Sequence, residues 1–429
     1  MDILSQSATE IIKAVQDGRL KVADIAEAVL TRIELTEPSL HAWAHIDPAA
    51  VQARAAALDE QKTKGPLLGL PIGVKDLMDT KDMPTEYGSS IYRGWAPTQD
   101  AEMIARLREA GALLIGKTTT TEFACFQPTL TTNPHNAAHT PGGSSSGSAA
   151  VVSANVVPLA LGSQTAASIT RPASYCGVVG YKSSHGRFPL AGIKGLAPSF
   201  DSFGWLAKNV SDAAMLFEAL DSPVLPVAQE QLRIAICQTP MWFEAEQGTR
   251  EAMGIARQKL SNAGHLVSEL ALPAAFRELS QGHIDIMSAE AAGSLHKEMA
   301  SHENNLSYGM REMLKSGALL SASQVQSAQD QRVECIAKMA NIWEQFDCII
   351  APSAPGVAPK GLTMTGSPIF SRLWTSLGLP SIAVPVINDA NGLPVGVQIL
   401  GAEQSDAALF GQAKMIETAL TYRGRLGSA

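Results

Sequence analysis

The chain has 429 residues, 45% of them hydrophobic and 17% charged, an ordinary globular balance with material for a large core. Its formal net charge is −8 and no Lys/Arg cluster stands out, which sets a nucleic-acid binder aside. The mildest stretch, residues 148–163, is interrupted by Asn155 and Pro158 and is too short to span a bilayer.

The N-terminus, MDILSQSATEIIKAVQDGRL, is polar and amphipathic and lacks the apolar run of a secretion signal. Its periodicity predicts helices over 8–16 and 23–35, the first opened by Ser7 as N-cap with Glu10 as its capping-box partner. A further helix is expected over 47–60. LLGLPIGVKDLMDT (67–80) reads as a strand running into a loop, 101–110 as a helix and ALLIGKT (112–118) as a buried strand. From 118 to 147 Thr, Asn, Pro, Ser and Gly crowd together, and a loop of that length in a globular chain is functional or disordered. Its GGSSSG segment passes at once into AAVVSANVVPLALGS, a helix and then a strand, so 118–170 reads as packed in, not as a linker.

LRIAI (232–236), a helix over 249–263 and HLVSELAL (265–272) make a β–α–β unit. Residues 273–345 are mostly helical, CIIAPSAP is a strand ending in a loop, SIAVPV and LPVGVQIL form a strand pair, and 407–419 is a closing helix. This alternation implies an α/β fold with helices on both faces of one sheet. Five scattered cysteines (Cys125, Cys176, Cys237, Cys335 and Cys348) without a CxxC pair read as buried, reduced thiols of a cytoplasmic protein.

Three stretches carry chemistry: GVKDLMDT, PGGSSSGSAA and GSQTAASITRP. In the last, Ser163, Thr165, Ser168 and Thr170 place four hydroxyls together with no His, Cys, Asp or Glu among them, and a serine needs a base before it can attack. Lys75, between Val74 and Asp76, is exposed in one reading and buried in the other. Burial lowers a lysine's pKa, and an unperturbed lysine is neutral about one time in a thousand near pH 7.4, a handicap of about 4 kcal/mol. Ser144–Ser146 among Gly142, Gly143 and Gly147 could serve as a linker or as a ligand loop, but a Walker-type phosphate loop would need a lysine that is absent.

Other groups have plainer readings. His135 and His139 lie four apart, but Pro134 and Pro141 make this a loop, so the spacing does not argue for a metal. Asp76 and Asp79 read as loop carboxylates that order backbone or stabilise a protonated Lys75. Cys176, among apolar neighbours, reads as a packing residue. Arg171 suits either a structural ion pair or a site-facing donor.

Together these stretches resemble the amidase signature family. The glycine–serine loop stands as PGGSSSGSAA, the nucleophile loop as GSQTAASITRPASYCGVVGYK and the lysine motif as GVKDLMDT, with Ser144 and Ser168 spaced 24 residues apart. The resemblance runs over nearly the entire chain, to GLPVGVQILG. DMPTEYGSSIYRGW and GKTTTTEFACFQPT are similar to malonamidase-like and other small bacterial amidases.

The resemblance implies a single α/β/α domain over 1–429 with a mixed central sheet. Its expected parts are an N-terminal helical arm (1–60), a catalytic core (61–220), a more variable segment (221–345) and C-terminal strands and helix (346–429). It implies hydrolysis of carboxamide C–N bonds with Ser168 as nucleophile, Ser144 as bridge after a cis Gly143–Ser144 peptide and Lys75 as base. Backbone N–H groups of Thr165, Ala166, Ala167 and Ser168 would hold the oxyanion, and Arg171 is the candidate substrate-binding residue. No metal or organic cofactor is implied. The implied partner is a small amide, with esters, anilides and carbamates within the triad's chemical reach and a homodimer left open.

The chain departs from the family pattern in having Ala166-Ala167 for two glycines, Gln164 for an aspartate, and Thr170 for an arginine that arrives one place later as Arg171. A second reading is the glutaminase subunit of an aminoacyl-tRNA amidotransferase, which shares the triad and needs a partner chain. The short stretch after GLPVGVQILG, without the longer tail of such subunits, weighs toward a free-standing enzyme. A third reading, suggested by the alanine pair, is a weakened binding protein.

Overall fold

Leu113 and Ile115 pack into one apolar cluster and Leu114 into another, the period of two that a strand imposes. Leu159 and Leu161 are divided from Ala160 in the same way. Both faces of this sheet are covered, which is why its strands read as unbroken apolar runs and not as alternations.

The computed structural model describes residues 2–61, 65–125, 127–221, 230–422 and 424. Among them are β1 (Trp43–Ile46), β2 (Pro71–Lys75), β3 (Leu113–Thr118), β4 (Leu159–Gln164), β5 (Val179–Lys182) and β6 (Ser202–Ala207). The remaining strands are β7 (Arg233–Ile236), β8 (Leu266–Glu269), β9 (Cys348–Pro352), β10 (Ser381–Asn388) and β11 (Pro394–Leu400). All join one sheet in the order β1-β3-β2-β4-β6-β5-β10-β11-β9-β7-β8. It is mixed: β2 runs parallel to β3 and β4, and β7 to β8 and β9, while the central pairs are antiparallel.

Helices Val22–Leu40, Pro48–Asp59 and Ser146–Ser153 cover one face. Glu102–Glu109, Val210–Asp221, Gln247–Asn262 and Asp406–Leu420 cover the other. Helix Leu279–Ser294 packs against Tyr308–Leu319, Ala322–Trp343 and Ile369–Ser376. No helix among the described residues is long and apolar enough to cross a membrane.

The expected helices and strands form within a few residues of their predicted bounds, and Ser7 and Glu10 make the capping box. The helix expected over 23–35 runs on to Leu40, with Pro38 inside it. Periodicity missed β1, β5 and β6, each short or glycine-containing. It also missed helix Thr170–Cys176, where Pro172 falls in the first turn, whose N–H groups have no partner within the helix. The expectation of uniformly buried thiols needs a correction: Cys125 is half-buried, while the other four are buried.

The site is positioned by β2 and β4, adjacent and parallel, whose carboxyl ends deliver Lys75 and the loop after Gln164 to the same place. Open α/β sheets bind ligands just beyond such strand ends. The glycine–serine loop joins them by entering the all-buried helix Ser146–Ser153. Gly147 is required there by proximity: a Cβ would lie 2.2 Å from the Ala42 carbonyl oxygen and 2.5 Å from the Thr119 nitrogen.

Candidate active site

Lys75 ends β2 with no exposed surface, and the exposed reading is thereby overturned. Its Nζ donates to Ser144 Oγ at 2.8 Å, to Ser163 Oγ at 2.9 Å and to the Ser163 carbonyl at 3.3 Å. Burial pushes its pKa down to about 7, against which the nearby Asp201 carboxylate acts weakly. No carboxylate hydrogen-bonds the amine among the described residues. Asp76 instead faces Lys117 at 3.4 Å and accepts the Glu86 N–H, and Asp79 accepts from the Tyr87 hydroxyl. Of the two roles expected for these aspartates, ordering backbone is the one seen for Asp76, and neither contacts Lys75.

Ser144 follows a cis Gly143–Ser144 peptide and is almost fully buried. Ser168 sits in the turn between β4 and helix Thr170–Cys176. Its carbonyl accepts the Ser145 N–H at 3.3 Å, which ties the two serine loops together. Both serines open onto one cavity of about 380 Å³. Its walls come from Thr121, Ala124, Cys125, Gln127 and Pro128 and from segment 363–372, with Met287, Ser307 and Gly309 reaching in from the helical region.

The loop carrying Ser168 is held from four sides. Gln164 Oε1 accepts the N–H groups of Ile169 (2.9 Å) and Thr170 (3.1 Å), and its Nε2 donates to Thr375 Oγ1. Thr375 Oγ1 donates to the Ala166 carbonyl at 2.8 Å. His283 Nε2 donates to the Thr165 carbonyl at 2.8 Å, and burial pushes this imidazole down to about 3, so it stays neutral. Thr165 Oγ1 donates to Asp201, which also accepts the N–H groups of Leu196 and Ala197. Among the described residues none accepts from the N–H of Ala166, Ala167 or Ser168. Neither alanine lies at positive φ, so the substitution for glycine strains nothing there.

Sequence reasoning did not find Ser163 as a lysine partner, nor Asp201, His283 and Thr375. The last three reach the loop from 36 to 209 positions away, with no spacing or motif to mark them. The remaining candidates have local duties. His135 Nε2 and His139 Nδ1 donate to the carbonyls of Cys176 and Ala358. Cys176 donates to the Pro141 carbonyl, and burial raises its pKa.

Comparison with known proteins follows the same geometry. A family model described as Amidase matches residues 24–410. A glutamyl-tRNA(Gln) amidotransferase subunit of Lysinibacillus sphaericus is 31% identical, over 98% of this chain and 98% of its own. A solved amidase structure superposes with a TM-score of 0.90 at 28% identity, covering 96% of this chain and 99% of the other. The corresponding glutamyl-tRNA(Gln) amidotransferase subunit of Thermotoga maritima superposes with a TM-score of 0.81 at 28% identity, covering 99% and 97%.

Arg171 lines the cavity but is not an ion-pair residue: no carboxylate meets it among the described residues. Its Nη1 donates to the Gly366 carbonyl at 2.6 Å, and its Nη2 to the Gly143 carbonyl at 2.7 Å and Thr365 Oγ1 at 3.0 Å. It thus pins the peptide that precedes Ser144 to the opposite wall. Burial pushes the guanidinium down to about 10, still charged at neutral pH. Arg171→Met would leave one buried and one part-buried carbonyl without donors, at about 1–3 kcal/mol each. The expected result in urea unfolding is a loss of roughly 3 kcal/mol; an unchanged midpoint would refute this clamp.

Proposed function

The chain belongs to the amidase family, and from that premise we propose that it hydrolyses carboxamides through an acyl-enzyme on Ser168, with Ser144 as bridge and Lys75 as base. The observation that carries the reading is the fully buried Lys75 amine, 2.8 Å from Ser144 Oγ at the wall of the cavity that Ser168 also faces.

Neutral Lys75 accepts the proton of Ser144 along that contact while Ser144 accepts the proton of Ser168. Ser168 Oγ bonds to the amide carbon, and the carbonyl oxygen takes up the charge. The uncommitted N–H groups of Ala166, Ala167 and Ser168, with that of Thr165 beside them, stabilise this oxyanion. As the C–N bond breaks, the relay returns the proton to the leaving nitrogen. Water then adds to the acyl-enzyme by the same path, giving a carboxylic acid and free Ser168. The Ser-Lys arrangement needs no histidine, and His283 serves only to hold the loop.

A second reading, a glutamine-hydrolysing subunit that works with partner chains, has stronger support from the curated relatives, which are subunits of glutamyl-tRNA(Gln) amidotransferases. The shorter C-terminal stretch no longer weighs against it, since the alignment spans 98% of the Lysinibacillus protein. Both readings use the same triad. They part on whether the single purified chain turns over simple amides such as pentanamide, which the first requires and the second does not. The third reading, a weakened binding protein, rests on the alanine pair, and neither alanine lies at positive φ.

Ser168→Ala is expected to abolish amide turnover by the single chain, and Lys75→Ala to fall nearly as far, by roughly 10⁴-fold or more. Ser144→Ala should lose less, because water can bridge, and the three losses should be strongly non-additive. Substantial turnover by Ser168→Ala protein in a steady-state ammonia assay would sink the assignment.

The base works only when neutral, so kcat/KM should climb tenfold per pH unit below about 7 and level off above it. An inflection near the ordinary lysine value in a pH–rate profile, or one that survives Lys75→Ala, would refute the lysine base.

A further inference from the structure

Charge around the cavity is one-sided. Its charged lining side chains are Arg171 and Arg372, and no aspartate or glutamate joins them among the described residues. Arg171 has both Nη groups committed to the protein. The side chain of Arg372, on helix Ile369–Ser376, has neither a hydrogen bond nor an ion pair with any described residue, only the nearby Cys125 sulfur acts favourably on its charge, and its Nε is buried without an acceptor. The two guanidinium groups are close enough to repel each other. A buried polar group of this kind normally has a partner, and a half-buried cation without one is costly.

We propose that Arg372 is the specificity-determining residue of this cavity, binding a carboxylate carried by the amide substrate. The planar fork of a guanidinium suits a carboxylate's two oxygens, and an anion is what would satisfy its unused donors. The same wall disfavours an amide bearing an ammonium group, since that charge would enter beside two cations with no aspartate or glutamate among the described residues to meet it. The substrate class is therefore a short acid amide without an α-amino group, which sets glutamine at a disadvantage. This rests on the hydrolase reading above and adds to it the charge of the substrate.

The test uses three matched amides: glutaramate, which is glutamine without its α-ammonium, glutamine itself, and neutral pentanamide. The wild-type enzyme is expected to favour glutaramate over both by about a hundredfold in kcat/KM. Arg372→Met should collapse the glutaramate-to-pentanamide ratio toward one, Arg372→Lys should keep part of it, and Arg372→Glu should turn the preference toward 5-aminopentanamide. Circular dichroism of each variant checks folding. Calorimetric binding of glutaramate to Ser168→Ala protein, with and without Arg372→Met, reads the anion site without turnover. Binding that depends on Arg372 supports the site even if hydrolysis fails, and that outcome would count against the hydrolase reading alone. Hydrolysis with a ratio that Arg372→Met leaves intact, or preference for glutamine, overturns the site alone.

Discussion

An amine with no exposed surface must be neutral or well paired, and the way this chain buries Lys75 fixes most of what surrounds it. Among the described residues three lysines are fully buried in strands of the sheet, and each is handled differently. Lys117 has the Asp76 carboxylate at 3.4 Å together with the Met78 carbonyl and the Thr85 hydroxyl. Lys182 has no hydrogen-bond partner among the described residues, and burial pushes it down to about 7. Lys75 is given hydroxyls: one serine from a strand and one from a loop converge on its Nζ. Hydroxyls can accept from an ammonium or donate to an amine, so they tolerate either protonation state where a carboxylate would lock the charge.

That requirement explains the loops. Ser163 comes from β4 itself, parallel to β2 and beside it, so its placement follows from strand pairing. Ser144 has to be brought from a loop, and Gly147 lets that loop's helix press against the Ala42 carbonyl and the Thr119 nitrogen. Ser168 is set by the turn after β4, whose carbonyls at 165 and 166 are gripped by His283 and Thr375. Gln164 does with a neutral amide what an acid could do, accepting two N–H groups, and its amide donor adds a tie to Thr375 that a carboxylate lacks.

Much of this was legible in the sequence because its signals are local. The capping box at Ser7, the buried run LLIGKT and the β–α–β unit over 232–272 are each written within one window of chain. The three chemical motifs were legible too, though only their resemblance to a family joined Lys75 to serines 69 and 93 residues away. The illegible parts are encoded at long range. Asp201 lies in PSFDSFG and His283 in QGHIDIM, and nothing in either stretch announces a duty toward Thr165. Arg171 was ambiguous for the opposite reason: an arginine in an apolar setting has many suitable acceptors, and only the fold shows that it chose backbone carbonyls.

The one-signed wall of the cavity bears on the end of the catalytic cycle as well as on its start. In the proposed reaction, amide hydrolysis replaces an uncharged group with a new carboxylate, formed in a cavity whose wall includes Arg171 and Arg372. If Arg372 binds a substrate carboxylate as proposed, the same wall also attracts the acid product. On the proposed reading, an acid product is therefore expected to compete with the substrate for the cavity and to act as an inhibitor of its own formation.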